Sequence, residues 1–196
     1  ITETTTLYVF AGNPDDPACS ADNPFTITIN LSPLLVINNP NPVCAPESID
    51  LTHEDITDGS DANLIFTYWE DRDASVELTN PGEITISGIY YIHAKAESGC
   101  FVIAEVEVTI YPAPDAPELA AIQPDCKVQT GVIEVTAPLG EDYSYSIDGE
   151  NFRTETTFTG LAPGEYTVTV MGENECTAET NITIEEIPDL PLLVIN

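Results

Sequence analysis

Short runs in which apolar and polar residues alternate are the feature of this sequence that most constrains its fold. Residues 25–30, 89–96 and 165–170 each place small polar side chains on one face of an extended chain and apolar side chains on the other. Turn signals containing Pro and Gly separate such runs, and no stretch keeps the spacing of an amphipathic helix for more than a turn or two. The alternation predicts an all-β chain of antiparallel β-sandwiches, in which each sheet has one face towards a core.

Two proline-spaced stretches divide the chain. Residues 38–42 read NNPNP and residues 111–118 read YPAPDAPE, and spaced prolines keep such segments extended and semi-rigid. The division predicts four parts: residues 1–38 as the C-terminal strands of a truncated preceding module plus a linker, 39–113 as one β-sandwich module, 114–190 as a second, and 191–196 as a linker or the start of a further module.

The hexapeptide PLLVIN occurs twice, at residues 33–38 and again at residues 191–196. The first copy runs into the proline-spaced stretch that precedes the module of residues 39–113. We interpret the hexapeptide as a junction between modules and its spacing as the length of a two-module unit. Residues 1–32 match the end of the first module better than the end of the second, so modules of different kinds need not alternate strictly.

The five cysteines are consistent with this division. Cys44 and Cys100 lie early and late in the first module, and Cys126 and Cys176 hold the corresponding places in the second. This spacing predicts the disulfides Cys44–Cys100 and Cys126–Cys176, each joining a first strand to a last hairpin. Closing loops of such length contributes about 4 kcal/mol in the chain-entropy model. Metal ligation is the alternative, but the chain has no CxxC or Cys/His ligand spacing.

Cys19 has no predicted partner within the chain. It lies in a segment that matches the late hairpin and last strand of residues 39–113, so its partner is expected in an earlier part of a truncated module. A free thiol and an intermolecular bridge are the alternatives. Paired disulfides indicate an oxidising, extracytoplasmic setting.

Two segments resemble known repeat families. Residues 42–101, beginning PVCAPESIDLT and ending GIYYIHAKAESGCF, resemble the Ig-like repeats of very large cell-surface proteins of gliding and marine Bacteroidota. Residues 122–177 are similar to the SprB-type repeat of gliding-motility adhesins in their YSIDG turn, their GLAPGEYTVTV run and their closing Cys hairpin.

The resemblance implies tandem Ig-like modules of a filamentous adhesin at the cell surface, exported by type IX secretion. The implied partners are neighbouring repeats of the same chain and secretion or surface-anchoring machinery. The implied function is a structural stalk for adhesion, gliding or surface attachment. The alternatives are a glycan- or calcium-binding adhesive module and a filament subunit that exchanges strands with its neighbours.

The charge excludes two classes of partner. The chain has 34 acidic and 4 basic residues, a net charge of −30. Nucleic-acid backbones and anionic membrane surfaces attract clustered Lys and Arg, which this chain lacks. No apolar run approaches the roughly 18 residues that span a bilayer, so neither nucleic-acid binding nor direct membrane insertion is expected.

No catalytic residue is predicted, and no cofactor is expected apart from calcium. The two histidines, His53 and His93, have no Ser or Cys partner in a recognisable catalytic motif. Two loops are rich in carboxylates, HEDITDGSD at residues 53–61 and EDRD at residues 70–73. Such loops suit Ca²⁺, although neither follows the EF-hand pattern. The hypothesis is weak Ca²⁺ binding by one of two groups of residues: Asp55, Asp58 and Asp61, or Asp71 and Asp73.

Aromatic and aliphatic residues on the strands are the expected core. Trp69 alternates with Phe66 and Tyr68, so the three cannot face one side. A buried Trp on a central strand is common in Ig-like sandwiches, which favours a core position over a carbohydrate-stacking platform. The predicted core residues are Trp69, Tyr91, Leu161, Tyr166 and Val168.

Overall fold

The computed structural model describes residues 4–13 and 15–187, and these form strands, turns and one short 3₁₀-helix at Glu54–Thr57. The side chain of Cys19 and the second PLLVIN copy, residues 191–196, lie outside this part. The strands are β1 (Thr5–Asn13), β2 (Asp16–Ile27), β3 (Val43–Cys44), β4 (Ile65–Trp69), β5 (Gly88–Lys95), β6 (Phe101–Val108), β7 (Ile110–Tyr111), β8 (Glu118–Ile122), β9 (Gly131–Ala137), β10 (Ser144–Ser146), β11 (Thr157–Leu161), β12 (Gly164–Met171) and β13 (Thr177–Ile184).

The predicted all-β, antiparallel architecture is confirmed. The strands form the hairpin β1–β2 and three antiparallel sheets, in the orders β4–β5–β6, β11–β9–β8 and β10–β12–β13. One short pair, β3 with β7, is parallel. The alternating runs pair with their neighbours because successive side chains of a strand point to opposite faces and one face can then be buried.

The contacts divide the chain into two compact units. This division differs from the one marked by the proline-spaced stretches, so the module boundaries at residues 38, 113 and 190 stay predictions. Unit 1 contains Ile1–Pro40, Asp50–Gly82 and Gly88–Val108, and unit 2 contains Asn41–Ile49, Glu83–Ser87 and Thr109–Asn196.

Unit 2 is a sandwich of two three-stranded sheets. Its core takes side chains from both sheets, as expected when two apolar faces pack together. Tyr166 is half-buried at the edge of this core, where its hydroxyl donates to the carbonyl of Ala162 at 2.9 Å, a contact that resembles the tyrosine corner of Ig-type sandwiches. The buried core residues are Ile133, Val135, Tyr145, Phe158, Leu161, Val168, Val170 and Ile184.

Unit 1 contains the sheet β4–β5–β6. The inner face of this sheet is marked by Ile92 and Ala94 of β5 and Val106 and Val108 of β6, all at most 2% exposed. Residues directly opposite in an antiparallel pair point to the same face. The register therefore fixes which residues of β4 share the inner face and which share the outer one.

The predicted core positions of Trp69 and Tyr91 are wrong. Trp69 pairs with Tyr91, and Tyr91 precedes the buried Ile92 on β5. Both aromatic side chains therefore lie on the outer face of the sheet, where they are half-buried. Alternation correctly separates Trp69 from Phe66 and Tyr68, but it does not tell which of the two faces packs inward.

Candidate functional site

A disulfide joins Cys44 to Cys176 across unit 2, with the two Cα atoms 5.6 Å apart and a sequence separation of 132. Cys44 ends β3 and lies opposite Tyr111 of β7. Cys176 is 1% exposed in the turn between β12 and β13, where the Gly172 amide donates to the Cys176 carbonyl at 2.9 Å. The bond thus connects the first strand of unit 2 to its last hairpin.

The predicted pair Cys44–Cys100 is wrong, because Cys44 is bonded to Cys176 and Cys100 is a free thiol. Cys44 lies beside Tyr111 at the end of β7, whereas Cys100 immediately precedes Phe101, the first residue of β6. The Cys100 thiol instead lies 3.7 Å from the carbonyl of Asn30.

The predicted pair Cys126–Cys176 is wrong for a similar reason. The segment after β8 is fixed near the end of β13, because the Gln123 side chain donates to the Thr183 carbonyl at 3.1 Å and accepts from the Glu185 amide at 2.8 Å. Cys176 lies at the other end of β13, directly before its first residue. Cys126 is a free, exposed thiol in the turn that follows Gln123.

The acidic loop at residues 53–61 was a predicted calcium site, and the structure uses its polar groups differently. The Asp61 carboxylate accepts the Leu34 amide at 2.8 Å. The carbonyl oxygens of Asp55 and Asp58 accept from the side-chain amide of Asn38 at 2.9 and 3.2 Å. These three aspartates therefore hold another segment of unit 1.

The second acidic loop, which contains Asp71 and Asp73, is a turn held by its own hydrogen bonds. The Asp71 carboxylate accepts the Ser75 amide at 2.9 Å, the Ser75 hydroxyl at 2.7 Å and the Val76 amide at 2.8 Å. These hydrogen bonds, with the Ser75 amide first, lower the pKa of Asp71, and the Asp73 amide adds to the effect. Within residues 4–13 and 15–187, no three His, Cys, Asp or Glu side chains come together in a way that could hold a metal ion.

The YSIDG turn of unit 2 is organised around Asp148. Its carboxylate accepts the side-chain amide of Asn151 at 2.7 Å, the Asn151 backbone amide at 2.8 Å, the Ser146 hydroxyl at 2.7 Å and the Glu150 amide at 3.0 Å. These bonds hold the pKa of Asp148 far below its ordinary value. Gly149 adopts φ +74, a left-handed conformation that favours glycine. The sequence motif indicates the turn, but it does not indicate that the Asp148 carboxylate organises it.

The outer face of the sheet β4–β5–β6 carries aromatic and apolar side chains. The indole N–H of Trp69 donates to the Thr67 hydroxyl at 3.0 Å, and that hydroxyl lies 3.3 Å from Nδ1 of His93. The ring of Phe101 meets His93 edge to face at 4.8 Å. Ile65, Ile89 and Phe101 are each more than half exposed on this face, so it is a half-covered aromatic surface.

No helix among the described residues is both long and apolar enough to cross a membrane.

Comparisons with known proteins return solved structures only: no protein-family model matches the chain, and no curated protein matches it. Murine CEACAM1b matches at 11% identity over 80% of this chain and 99% of that one, with a TM-score of 0.37. A Ca²⁺-stabilised adhesin with which an Antarctic bacterium binds ice matches at 10% identity, with a TM-score of 0.38. That match covers 95% of this chain and 57% of the adhesin.

A third solved structure is SGBP-B of the Bacteroides ovatus mixed-linkage glucan utilization locus, in complex with a mixed-linkage heptasaccharide. It matches at 14% identity over 80% of this chain, with a TM-score of 0.31. This chain spans about half of that protein, 48%. All three TM-scores are too low to place the chain in the family of any of these proteins.

Proposed function

We propose that this chain is a structural segment of an extracellular, filamentous adhesin, in which the β units carry tension between the cell surface and an adhesive end. The observation that supports the proposal is the disulfide Cys44–Cys176. A pull on the chain before Cys44 and after Cys176 passes through the S–S bond instead of through the strands between them. The intervening residues then stay folded when the segment is stretched.

The length that the disulfide retains is large. Its sequence separation is 132 residues, and an extended chain spans roughly 3.4 Å per residue, so the bond withholds about 450 Å of extension. A disulfide also fits an oxidising, extracytoplasmic location. The net charge of −30 keeps parallel stalks soluble and apart.

The finer parts of the proposal come from the sequence resemblance. They are that the modules are Ig-like and SprB-type repeats, that the protein is exported by type IX secretion and serves gliding, and that its partners are neighbouring repeats. The division at residues 38, 113 and 190 belongs to the same proposal.

Single-molecule force spectroscopy tests the mechanical role. The full chain, held by its two ends, is stretched with and without a thiol reductant. We expect reduction to add about 450 Å to the released contour length. Cys176→Ser should release that length without reductant, whereas Cys126→Ser should behave like the parent chain. Equal lengths from the oxidised and reduced chains would contradict the proposal.

The surface location is tested separately. Antibodies against the chain should label intact source cells, and brief protease treatment of the cells should remove the label. Labelling that requires permeabilised cells would place the protein inside.

A second candidate function, glycan binding, is favoured by one observation. Trp69 and Tyr91 lie side by side on the outer face of their sheet, where they are half-buried and accessible to a ligand. Aromatic faces of this kind stack on sugar rings. A glycan array probed with the full chain and with Trp69→Ala tests it: a signal that does not depend on Trp69 excludes this surface as the binding site.

A further inference from the structure

The first PLLVIN copy, residues 33–38, is hydrogen-bonded along the acidic loop at residues 53–61 of unit 1. The Leu34 amide donates to the Asp61 carboxylate at 2.8 Å, and the Asp61 amide donates to the Leu34 carbonyl at 3.0 Å. Two residues later, the Val36 amide donates to the Ser60 hydroxyl at 2.9 Å, and that hydroxyl donates to the Val36 carbonyl at 3.3 Å. The main chain of alternate residues of the segment, Leu34 and Val36, thus bonds to the loop.

Asn38 completes the contact with both its main chain and its side chain. Its backbone amide donates to the Ile56 carbonyl at 2.9 Å. Its side-chain amide donates to the carbonyls of Asp55 and Asp58 at 2.9 and 3.2 Å. Main-chain bonds could be made by many sequences, but the side-chain bonds require an amide at this position. Asn38 therefore makes the contact specific for the sequence.

The loop also fits the side chains of the segment. Gly59 has φ +86, and a Cβ built on it would lie 3.8 Å from both methyl carbons of Val36. The left-handed backbone favours glycine here, and the Val36 side chain packs against this position at ordinary van der Waals distance. Pro33 of the segment is buried, as is Ile56 of the loop.

Residues 191–196 repeat residues 33–38 without a difference. Each contact above uses either main-chain atoms or a side chain that both copies contain. We propose that residues 55–61, which we call the docking loop, form a recognition site for the sequence PLLVIN. Residues 191–196 of a second copy of this chain occupy the site when residues 33–38 leave it.

The first copy has a large advantage in this competition. It is joined to the docking loop by a short stretch of chain, and such tethers give effective concentrations in the millimolar range. A separate molecule at micromolar concentration does not displace it. The intact chain is therefore monomeric, and exchange between molecules becomes visible when the first copy is removed. This inference concerns unit 1 and does not depend on the tension-bearing role of the disulfide.

The self-association of chains in which a PLLVIN segment is replaced tests which segment occupies the docking loop. In one full-length variant residues 33–38 are replaced by alternating Gly and Ser, in a second residues 191–196 are replaced in the same way, and a third carries both replacements. Sedimentation velocity over a micromolar to millimolar series should show association of the first variant only. If the variant with residues 33–38 replaced stays monomeric at every concentration, a second chain is not the occupant of the docking loop. The same conclusion follows if the variant with both segments replaced still associates.

Peptide binding tests the recognition itself. A fluorescent synthetic PLLVIN peptide should bind the doubly replaced chain at one site. The same peptide ending in Ala instead of Asn should bind about tenfold more weakly, since it lacks the side-chain hydrogen bonds. Ser60→Ala in the doubly replaced chain should also weaken binding. Absence of binding to a folded chain, or equal binding of the two peptides, overturns the proposal.

Point variants of the full chain test the same contact if the chains with replaced segments do not fold. Asn38→Ala should speed hydrogen exchange at the amides of Val36 and Asp61, whereas Asn196→Ala, the same change in the second copy, should leave them unaltered. Unchanged exchange in Asn38→Ala would overturn the proposal, because the side chain would then contribute nothing to docking.

Discussion

Unit 1 and unit 2 are both built from alternating strands, but they are closed in different ways. Unit 2 packs two three-stranded sheets face to face and ties its first strand to its last hairpin by Cys44–Cys176. Among the described residues of unit 1, no disulfide is present, and an extended segment is hydrogen-bonded to the docking loop instead. Similar local patterns thus lead to covalent closure in one unit and non-covalent closure in the other.

The difference predicts that unit 1 opens before unit 2. Unit 2 buries a core contributed by both of its sheets, whereas the sheet of unit 1 leaves Ile65, Ile89 and Phe101 more than half exposed on its outer face. Regions with few buried apolar contacts open at lower free energy. The single Trp of the chain, Trp69, lies in unit 1, so its fluorescence reports that unit while circular dichroism reports both.

The largest effect should come from removing the disulfide. Cys176→Ser should lower the free energy of unfolding of unit 2 by about 2–5 kcal/mol, because the unfolded chain gains the freedom of a long open loop. Urea titration should then show an earlier circular-dichroism transition with an unchanged Trp69 fluorescence transition. Cys126→Ser, which removes an exposed free thiol, should stay within about 0.5 kcal/mol of the parent. Equal shifts of both signals in Cys176→Ser would show that the two units do not unfold separately.

The next effect should come from the core of unit 2. A Cβ at Gly131 would lie 2.6 Å from Cγ2 and 2.8 Å from Cδ1 of Ile184, which is 1% exposed. Gly131→Ala forces Ile184 to move inside a packed core, and we expect a loss of about 1–3 kcal/mol. Gly172→Ala is the matched control, since the nearest atom to its Cβ is 4.0 Å away.

The measurement is the same urea titration followed by circular dichroism. A Gly131→Ala chain as stable as the Gly172→Ala chain would mean that Ile184 can rotate away without cost. The Trp69 signal should not change in either variant, because both glycines belong to unit 2.

Local structure was predictable from the sequence because alternation is a local property. The runs at 89–96, 131–137 and 165–170 overlap β5, β9 and β12. Alternation along the strand also predicted that Trp69 faces the opposite side of the sheet from Phe66 and Tyr68. The choice of inner face did not follow from alternation, because it depends on which face of β5 and β6 is buried by long-range packing.

Long-range partners were not predictable from spacing. Early and late cysteines in each predicted module suggested local pairs, but Cys44 is bonded to Cys176 at a sequence separation of 132, and Cys100 is free. The role of the docking loop was also missed. Its signal was the repeated PLLVIN with a closing Asn, but repetition alone does not name the surface that a segment contacts.

Acid should weaken the YSIDG turn of unit 2. Hydrogen bonds hold the pKa of Asp148 below its ordinary value of 3.8, so the folded state binds fewer protons than the unfolded state. The stability that Asp148 contributes is present above that ordinary value and is lost as pH falls below it. Asp148→Asn should therefore reduce stability at neutral pH and flatten the acid dependence of unit 2.

Melting curves from pH 7 to pH 2, followed by circular dichroism, measure this dependence. Glu150→Gln is the control, because Glu150 contributes its backbone amide to the turn and keeps that amide when the carboxylate is replaced. If Asp148→Asn and Glu150→Gln changed the acid dependence equally, the loss would reflect the general charge of the chain instead of the turn.

The smallest effect should be a specific response to calcium. One oxygen of the Asp61 carboxylate accepts the Leu34 amide, and the side chain of Asp55 is 84% exposed beside His53. Among the described residues, no three His, Cys, Asp or Glu side chains form a preformed set of ligands. A chain with a net charge of −30 is stabilised by any divalent cation through screening. We therefore expect Ca²⁺ and Mg²⁺ at equal ionic strength to shift the Trp69 melting transition of unit 1 equally. A larger shift with Ca²⁺ that is lost in Asp58→Asn would instead restore the calcium hypothesis, and it would make this loop a site for a cation as well as for PLLVIN.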